Sequence, residues 1–317
     1  MKTFGIGEIP QELKHIPTMS PSRLLDFMES PRYYNWVHNL GNKKKQTKQM
    51  EEGRMVHMYT LEREKFEKTY INFFKDQAPL ETVKELTAYA QSLGLTVKSG
   101  TKKEDLINFI LDFSADAPIY DAVLARLTAQ GQTLIDNSDM TMLNTIQGLI
   151  DDHAWLSPAL KGGTFEQMMW FYDDLCEVVW RFKPDCFNQV GLKKLPVVID
   201  LKKTPDTSKE YFDSWLYKSK AYIQFGVYRE GCKLIYGKDP YVVAGMYDIA
   251  EPCAVEAYHV DEAALSAGWQ VARKFAMKFV ECKKKNHWPT WGDGKLLTGS
   301  LPAWAINKLE YNESLEA

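Results

Sequence analysis

The sequence predicts an α/β or α+β fold built on a mixed sheet. Three observations carry that reading. Up to about residue 160, apolar residues recur at helical spacing, and from Thr164 they gather into short β-branched and aromatic runs. Leu195-Pro196-Val197-Val198-Ile199-Asp200-Leu201-Lys202 has the composition of a central strand. The order is then helices, strands around one long helical stretch, and a final helix.

Taken in order, Ser20 caps a helix whose first residue is Pro21, with Leu24, Leu25, Phe27 and Met28 on its apolar face. Ser30-Pro31 breaks or restarts it. Lys43 to Gln49 reads as a polar loop, and Glu51 to Glu62 as a helix carrying His57. Leu80, Val83, Leu86, Tyr89, Ala90 and Leu93 share one helical face that Gly94 ends. Thr101-Lys102-Lys103-Glu104 reads as a capping box opening a second helix that buries Leu106, Ile107 and Ile110. Helical segments follow near 117–131 and 139–156. Thr164–Tyr172 and Leu175–Phe182 flank Asp173-Asp174 as a hairpin. A helix from Ser208 to Gly231, strands over Tyr241–Tyr247 and Ala254–Val260, and a helix from Asp261 to about Lys285 complete the chain.

The 317 residues suit one large domain, or one domain with a small insert. The division read here is 1–79 (helical part of the main domain), 80–112 (helix–loop–helix insert) and 113–317 (the strands and the C-terminal helix). Hydrophobic residues at 45% and charged residues at 26% are ordinary for a globular protein. No apolar stretch approaches the roughly 20 residues that span a bilayer, so no membrane partner is expected. Met1-Lys2-Thr3-Phe4-Gly5 lacks the apolar core of a secretory signal, and the cytoplasm is the expected compartment. Cys176, Cys186, Cys232, Cys253 and Cys282 are scattered, which argues against disulfides and clustered metal centres. The formal net charge of −3 is not that of a whole-surface nucleic-acid binder. Local basic runs occur at Lys43-Lys44-Lys45, Lys102-Lys103, Lys193-Lys194, Lys202-Lys203 and Lys283-Lys284-Lys285.

In a strand, residues two apart face the same side, so Asp200 and Lys202 project into one site. Joined by Asp185, which follows Pro184, they would offer two carboxylates and an ammonium, a set suited to a divalent metal that activates water against a phosphodiester. Taken alone, Asp200 reads as a strand-end acid, His57 as a core histidine, and Gln224 and Tyr228 as neighbours on one helical face.

Together these residues resemble the PD-(D/E)xK nuclease superfamily, and within it the RecE-type (exodeoxyribonuclease VIII-like) exonucleases of phage recombination systems. The likeness rests on Met19-Ser20-Pro21-Ser22-Arg23 with Ser30-Pro31, and on Gly53-Arg54-Met55-Val56-His57. It continues through Glu166 and Trp170, Arg181-Phe182-Lys183-Pro184-Asp185, Ile199-Asp200-Leu201-Lys202-Lys203-Thr204, Gln224 with Tyr228, and Trp288-Pro289. It covers roughly 18–76 and 115–292. Lys183 stands where the family usually has Arg, and the clustered cysteines of related iron–sulfur nucleases are missing, so no such cluster is expected.

The resemblance implies a core of a central mixed sheet flanked by helices. It implies that Asp185 and Asp200, with His57 and the Leu201 carbonyl, hold Mg²⁺ (Mn²⁺ as a substitute), and that Glu166 is a further ligand, direct or through water. Lys202 then orients or deprotonates the attacking water, with its pKa lowered beside the metal, and Gln224 and Tyr228 position the acids or the DNA end. The implied activity is degradation from the ends of duplex DNA, 5′→3′, leaving 3′ single strands, in a bacterial or phage-infected cell. A single-strand annealing recombinase and a homo-oligomer are the implied partners. Residues 80–111 are separately similar to a SAP-type helix–loop–helix, which implies DNA contact through Lys102 and Lys103; Lys203 is a further candidate contact. The alternatives are a restriction- or repair-type endonuclease on the same scaffold, and a non-catalytic DNA-binding protein.

Overall fold

The computed structural model describes residues 3–72, 78–190, 194–302 and 306. Lys193 and residues 73–76 at the end of the N-terminal likeness lie outside them. The strands are β1 (Phe4–Ile6), β2 (Thr18–Met19), β3 (Tyr70–Asn72), β4 (Thr133–Ile135), β5 (Thr164–Phe165), β6 (Met169–Asp173), β7 (Val178–Phe182), β8 (Cys186–Val190), β9 (Leu195–Lys203), β10 (Tyr241–Asp248) and β11 (Ala254–His259). The helices are α1 (Pro21–Glu29), α2 (Pro31–Tyr34), α3 (Lys48–Leu61), α4 (Arg63–Thr69), α5 (Val83–Ser92), α6 (Lys103–Phe113), α7 (Tyr120–Ala129), α8 (Asn137–Asp152), α9 (Leu156–Leu160), α10 (Lys209–Lys218), α11 (Ala221–Tyr236) and α12 (Glu262–Lys285).

Among the described residues the main sheet has the order β11-β10-β9-β8-β5. β9 and β10 run parallel, joined through α10 and α11, and the other pairs are antiparallel. This is the predicted mixed sheet. A second sheet, β1-β6-β7-β2, and a pair, β3-β4, lie beside it.

Alternation along β9 decides what each face meets. Val198 joins a core with Phe225, Tyr228, Leu265 and Phe279 of α11 and α12, whereas Val197, Ile199 and Leu201 join Met55, Val56, Ile146 and Leu156 of α3, α8 and α9. Burying each such side chain contributes about 1.5–3 kcal/mol. Asp200 and Lys202 share the parity of Val198 and so turn toward α11; Lys203 turns toward α3. The α11–α12 crossing is close because glycines face it. A Cβ on Gly226 would lie 2.5 Å from the Trp269 nitrogen, and one on Gly268 would clash with the Tyr222 carbonyl.

Several expectations need correction. The single helix from Ser208 to Gly231 is two helices, because Lys220 adopts φ 62° and Ser219 Oγ bonds the Trp215 carbonyl and accepts from Ala221 N–H. The strand Thr164–Tyr172 is likewise two strands in different sheets, divided at Glu166, whose φ is 53°. The Thr101 capping box does not form. Thr101 Oγ1 donates to the Lys98 carbonyl and Lys102 is the N-cap, while the box of this region is Thr82 with Glu85. Leu80 is not helical: it bridges to Ile119. Gly94 does end α5, at φ 79°, with Leu95 N–H on the Ala90 carbonyl.

The insert has its own apolar cluster of Leu80, Leu86, Ala90, Leu106, Ile110, Ala117 and Ile119, which extends past residue 112. No helix among the described residues is long and apolar enough to cross a membrane.

Candidate active site

The site forms where the acid-bearing end of β9 meets α3 and α11. β8 pairs antiparallel with β9, Cys186 opposite Ile199. β7 ends at Phe182 and β8 begins at Cys186, so Pro184 and Asp185 lie in the turn between them. That turn brings the Asp185 carboxylate to β9, where Oδ2 accepts the Leu201 N–H at 2.6 Å. Glu166 stands beside it, its N–H donating to the Asp185 carbonyl at 3.1 Å. The left-handed backbone of Glu166 costs about 1 kcal/mol or more for a residue with a Cβ and is the kind of strain that gathers at functional sites.

From the other face, α3 delivers His57. Its Nε2 lies 2.8 Å from Asp185 Oδ1 and 3.2 Å from Glu166 Oε1. Lys183 pairs with the other Glu166 oxygen. One donor atom from each of His57, Glu166 and Asp185 lies within 4.8 Å of the others, with room to become ligands of one ion.

Asp200 is 1% exposed. Its Oδ1 accepts from Gln224 Nε2 at 3.0 Å and from the Tyr228 hydroxyl at 3.2 Å, and its Oδ2 pairs with the Lys202 ammonium. Tyr228 also reaches the Lys183 carbonyl at 3.2 Å, tying α11 to the turn that holds Asp185. The helical spacing of Gln224 and Tyr228 places both on Asp200.

Burial and the neighbouring Asp185 charge push the Asp200 carboxyl up to about 6, against the pull of Lys202 and His57. Burial acts to lower the pKa of His57, but the Asp185 hydrogen bond and the charges of Asp185, Glu166 and Asp200 outweigh it and raise it. Lys202 is raised in the same way: burial opposes its charge, and Asp200 and Asp185 overcome that. The lowered Lys202 pKa that the resemblance implies belongs to a site holding a cation; the protein's own carboxylates act in the opposite direction.

Three acids facing one imidazole and two ammonium groups suit a divalent cation, because its charge would offset the burial and the Asp185 repulsion that raise Asp200. The geometry groups Glu166 with His57 and Asp185, and engages Asp200 with Lys202, Gln224 and Tyr228. The other named residues stand elsewhere. The Lys203 ammonium is taken by Glu52, and Lys103 pairs with Asp121 at 2.5 Å. Lys102 is exposed at the N-cap of α6.

A cleft of about 500 Å³ opens beside Lys202, lined also by Ser20, Ser22, Arg23, Arg181, Lys183 and Gln224. Arg23 and Arg181 were not singled out as site residues from the sequence. The signal for Arg23 was its place in the first turn of the Ser20-capped helix.

Residues 20–295 match the family model described as a PDDEXK-like domain of unknown function (DUF3799). No curated protein matches the sequence. Among solved structures, the chain is similar to the crystal structure of a "putative exonuclease" from Eubacterium rectale. The TM-score is 0.54 and the identity 13%, over 95% of this chain and 98% of that one, a likeness of fold. With the family model spanning most of its length, this chain belongs to the PDDEXK-like family.

Proposed function

We propose that the chain is a metal-dependent deoxyribonuclease of the RecE type that hydrolyses phosphodiester bonds from the ends of linear duplex DNA, 5′→3′, leaving 3′ single strands for recombination. The observation that carries this reading is the convergence of Asp185, Glu166, His57, Asp200 and Lys202 at one end of β9. The cleft beside them supports a phosphate-bearing substrate, because Arg23, Arg181, Lys183 and Lys202 line it in a chain whose net charge is negative.

His57, Glu166 and Asp185 would hold the cation, with Asp200 and the Leu201 carbonyl as the further donors expected from the sequence. When bound, a divalent cation lowers the pKa of water and offsets charge building on the phosphate. Carboxylates suit Mg²⁺, and the imidazole makes Mn²⁺ a natural substitute. Lys202 orients the attacking water and places positive charge beside the reacting phosphate. Gln224 and Tyr228 fix the Asp200 carboxylate. The SAP-like insert is assigned an auxiliary DNA contact through Lys102.

Asp200→Ala and Lys202→Ala are each expected to abolish Mg²⁺-dependent degradation of end-labelled linear duplex while far-UV circular dichroism stays that of the wild type. Undiminished degradation by either variant refutes the assignment. A closed circular duplex should survive intact, and its cleavage would favour an endonuclease.

A further inference from the structure

His57 reaches the acids only through the placement of α3, and two polar contacts tie that helix to the sheet one turn before the imidazole. The Lys203 ammonium pairs with Glu52, each side chain only 20% exposed. The Tyr247 hydroxyl donates to the Gly53 carbonyl at 3.2 Å. In an α-helix that same carbonyl accepts the N–H of residue 57, so Tyr247 bonds the peptide group from which the His57 backbone hangs.

The two anchors are neighbours. Tyr247 stands opposite Lys203 in the β9–β10 register, and the Thr204 N–H extends the ladder to the Tyr247 carbonyl at 2.8 Å. Consecutive residues of one strand thus serve both halves of the site. Lys202 turns to Asp200 on one face of the sheet, and Lys203 turns to the histidine helix on the other. Because Glu52, Gly53 and His57 share α3, a shift of that helix along the sheet would break the anchors and carry the imidazole from Asp185 and Glu166 together.

We infer that Glu52, Lys203 and Tyr247 are positioning residues that hold His57 in register with Asp185 and Glu166 and so preorganise the donor set for a divalent cation. The inference rests on the metal-site reading above. Lys203 therefore acts on the histidine helix and not on DNA. Groups that orient metal ligands typically cost about 10- to 100-fold in metal affinity when removed.

The test is Mn²⁺ titration calorimetry on the full chain without DNA, comparing wild type, Tyr247→Phe and Glu52→Gln, together with thermal melts of the metal-free proteins and turnover across a Mn²⁺ series. Each variant should bind Mn²⁺ about 10-fold more weakly and regain wild-type kcat at saturating Mn²⁺, with its metal-free melting temperature nearly unchanged. If Tyr247→Phe does not fold, Glu52→Gln, which keeps the side chain's size and removes only its charge, decides alone. Wild-type Mn²⁺ affinity in the folded variants overturns the inference and leaves the nuclease reading intact. A kcat that stays low at saturating Mn²⁺ in step with a reduced melting temperature assigns these residues a merely structural role and also overturns it. Failure of the wild type to bind Mn²⁺ removes the metal-site reading and the inference with it.

Discussion

Asp200 is held where its charge is costly. Its carboxylate is buried beside Asp185, and the Lys202 ammonium with two hydrogen bonds only partly offsets that, which is why its pKa is raised rather than lowered. An acid whose folded pKa exceeds its unfolded value weakens the fold as pH rises through the interval between them, so at neutral pH the chain carries the penalty. Asp200→Asn keeps the shape and removes the charge. Its metal-free melting temperature should equal or exceed the wild type's while Mg²⁺-dependent cleavage is lost; a fall of several degrees would mean that the Lys202 pair dominates. The sequence made this residue readable because an acid and a lysine two apart end an apolar run. That Glu166 would join His57 followed only from the family resemblance; locally it depends on a left-handed backbone at a residue with no glycine to announce it.

At the scale of elements, apolar runs and the Ser-Pro and glycine punctuation were readable, whereas the Thr101 cap and the breaks at Glu166 and Lys220 were not. β9 announced itself through four consecutive β-branched or proline positions, and α1 through Ser20-Pro21. β8 was missed because its five residues, Cys186-Phe187-Asn188-Gln189-Val190, lack alternation and gain their strand from pairing with β9. The break between α10 and α11 has neither glycine nor proline; it rests on the left-handed Lys220 and the Ser219 hydroxyl's bonds to the backbone.

The cap of α8 shows a local rule obeyed in full. The Asp136 carboxylate accepts from the N–H groups of Ser138 and Asp139, and Asp139 returns a bond to the Asp136 N–H. The Ser138 hydroxyl and the backbone N–H groups lower the Asp136 pKa, so its contribution is present above the unfolded carboxyl value and fades as pH falls through the folded one. Asp136→Ala should cost about 1 kcal/mol at pH ~7 and much less near pH ~3, read as the difference from wild type in urea unfolding. An equal gap at both pH values would show that the carboxylate charge is irrelevant to the cap.

For the whole molecule, two apolar clusters on opposite faces of one sheet bring α3 and α11 to the same strand end, and the site exists only where both are anchored. The insert stands apart in this respect. Its cluster is its own, and its chain ends meet, with Leu80 N–H on the Pro118 carbonyl at 3.3 Å and Tyr120 N–H on the Leu80 carbonyl at 3.1 Å. Replacing residues 81–118 with a short Gly-Ser linker should therefore leave the core folded, with near-native circular dichroism and unchanged turnover at saturating DNA. DNA affinity should weaken, measured by fluorescence anisotropy at fixed salt. Unchanged affinity would move the insert from DNA contact to assembly.

By itself the sequence determined the mixed sheet, the capped opening helix, and the pairing of Asp200 with Lys202, because each follows from residues close together in the chain. The tertiary structure alone decided that one His57 nitrogen meets both Asp185 and Glu166, that Lys203 is spent on Glu52, and that Arg23 and Arg181 line the same cleft. Those neighbours come from segments far apart in sequence, and only the packing of helices onto the two faces of the sheet sets their distances.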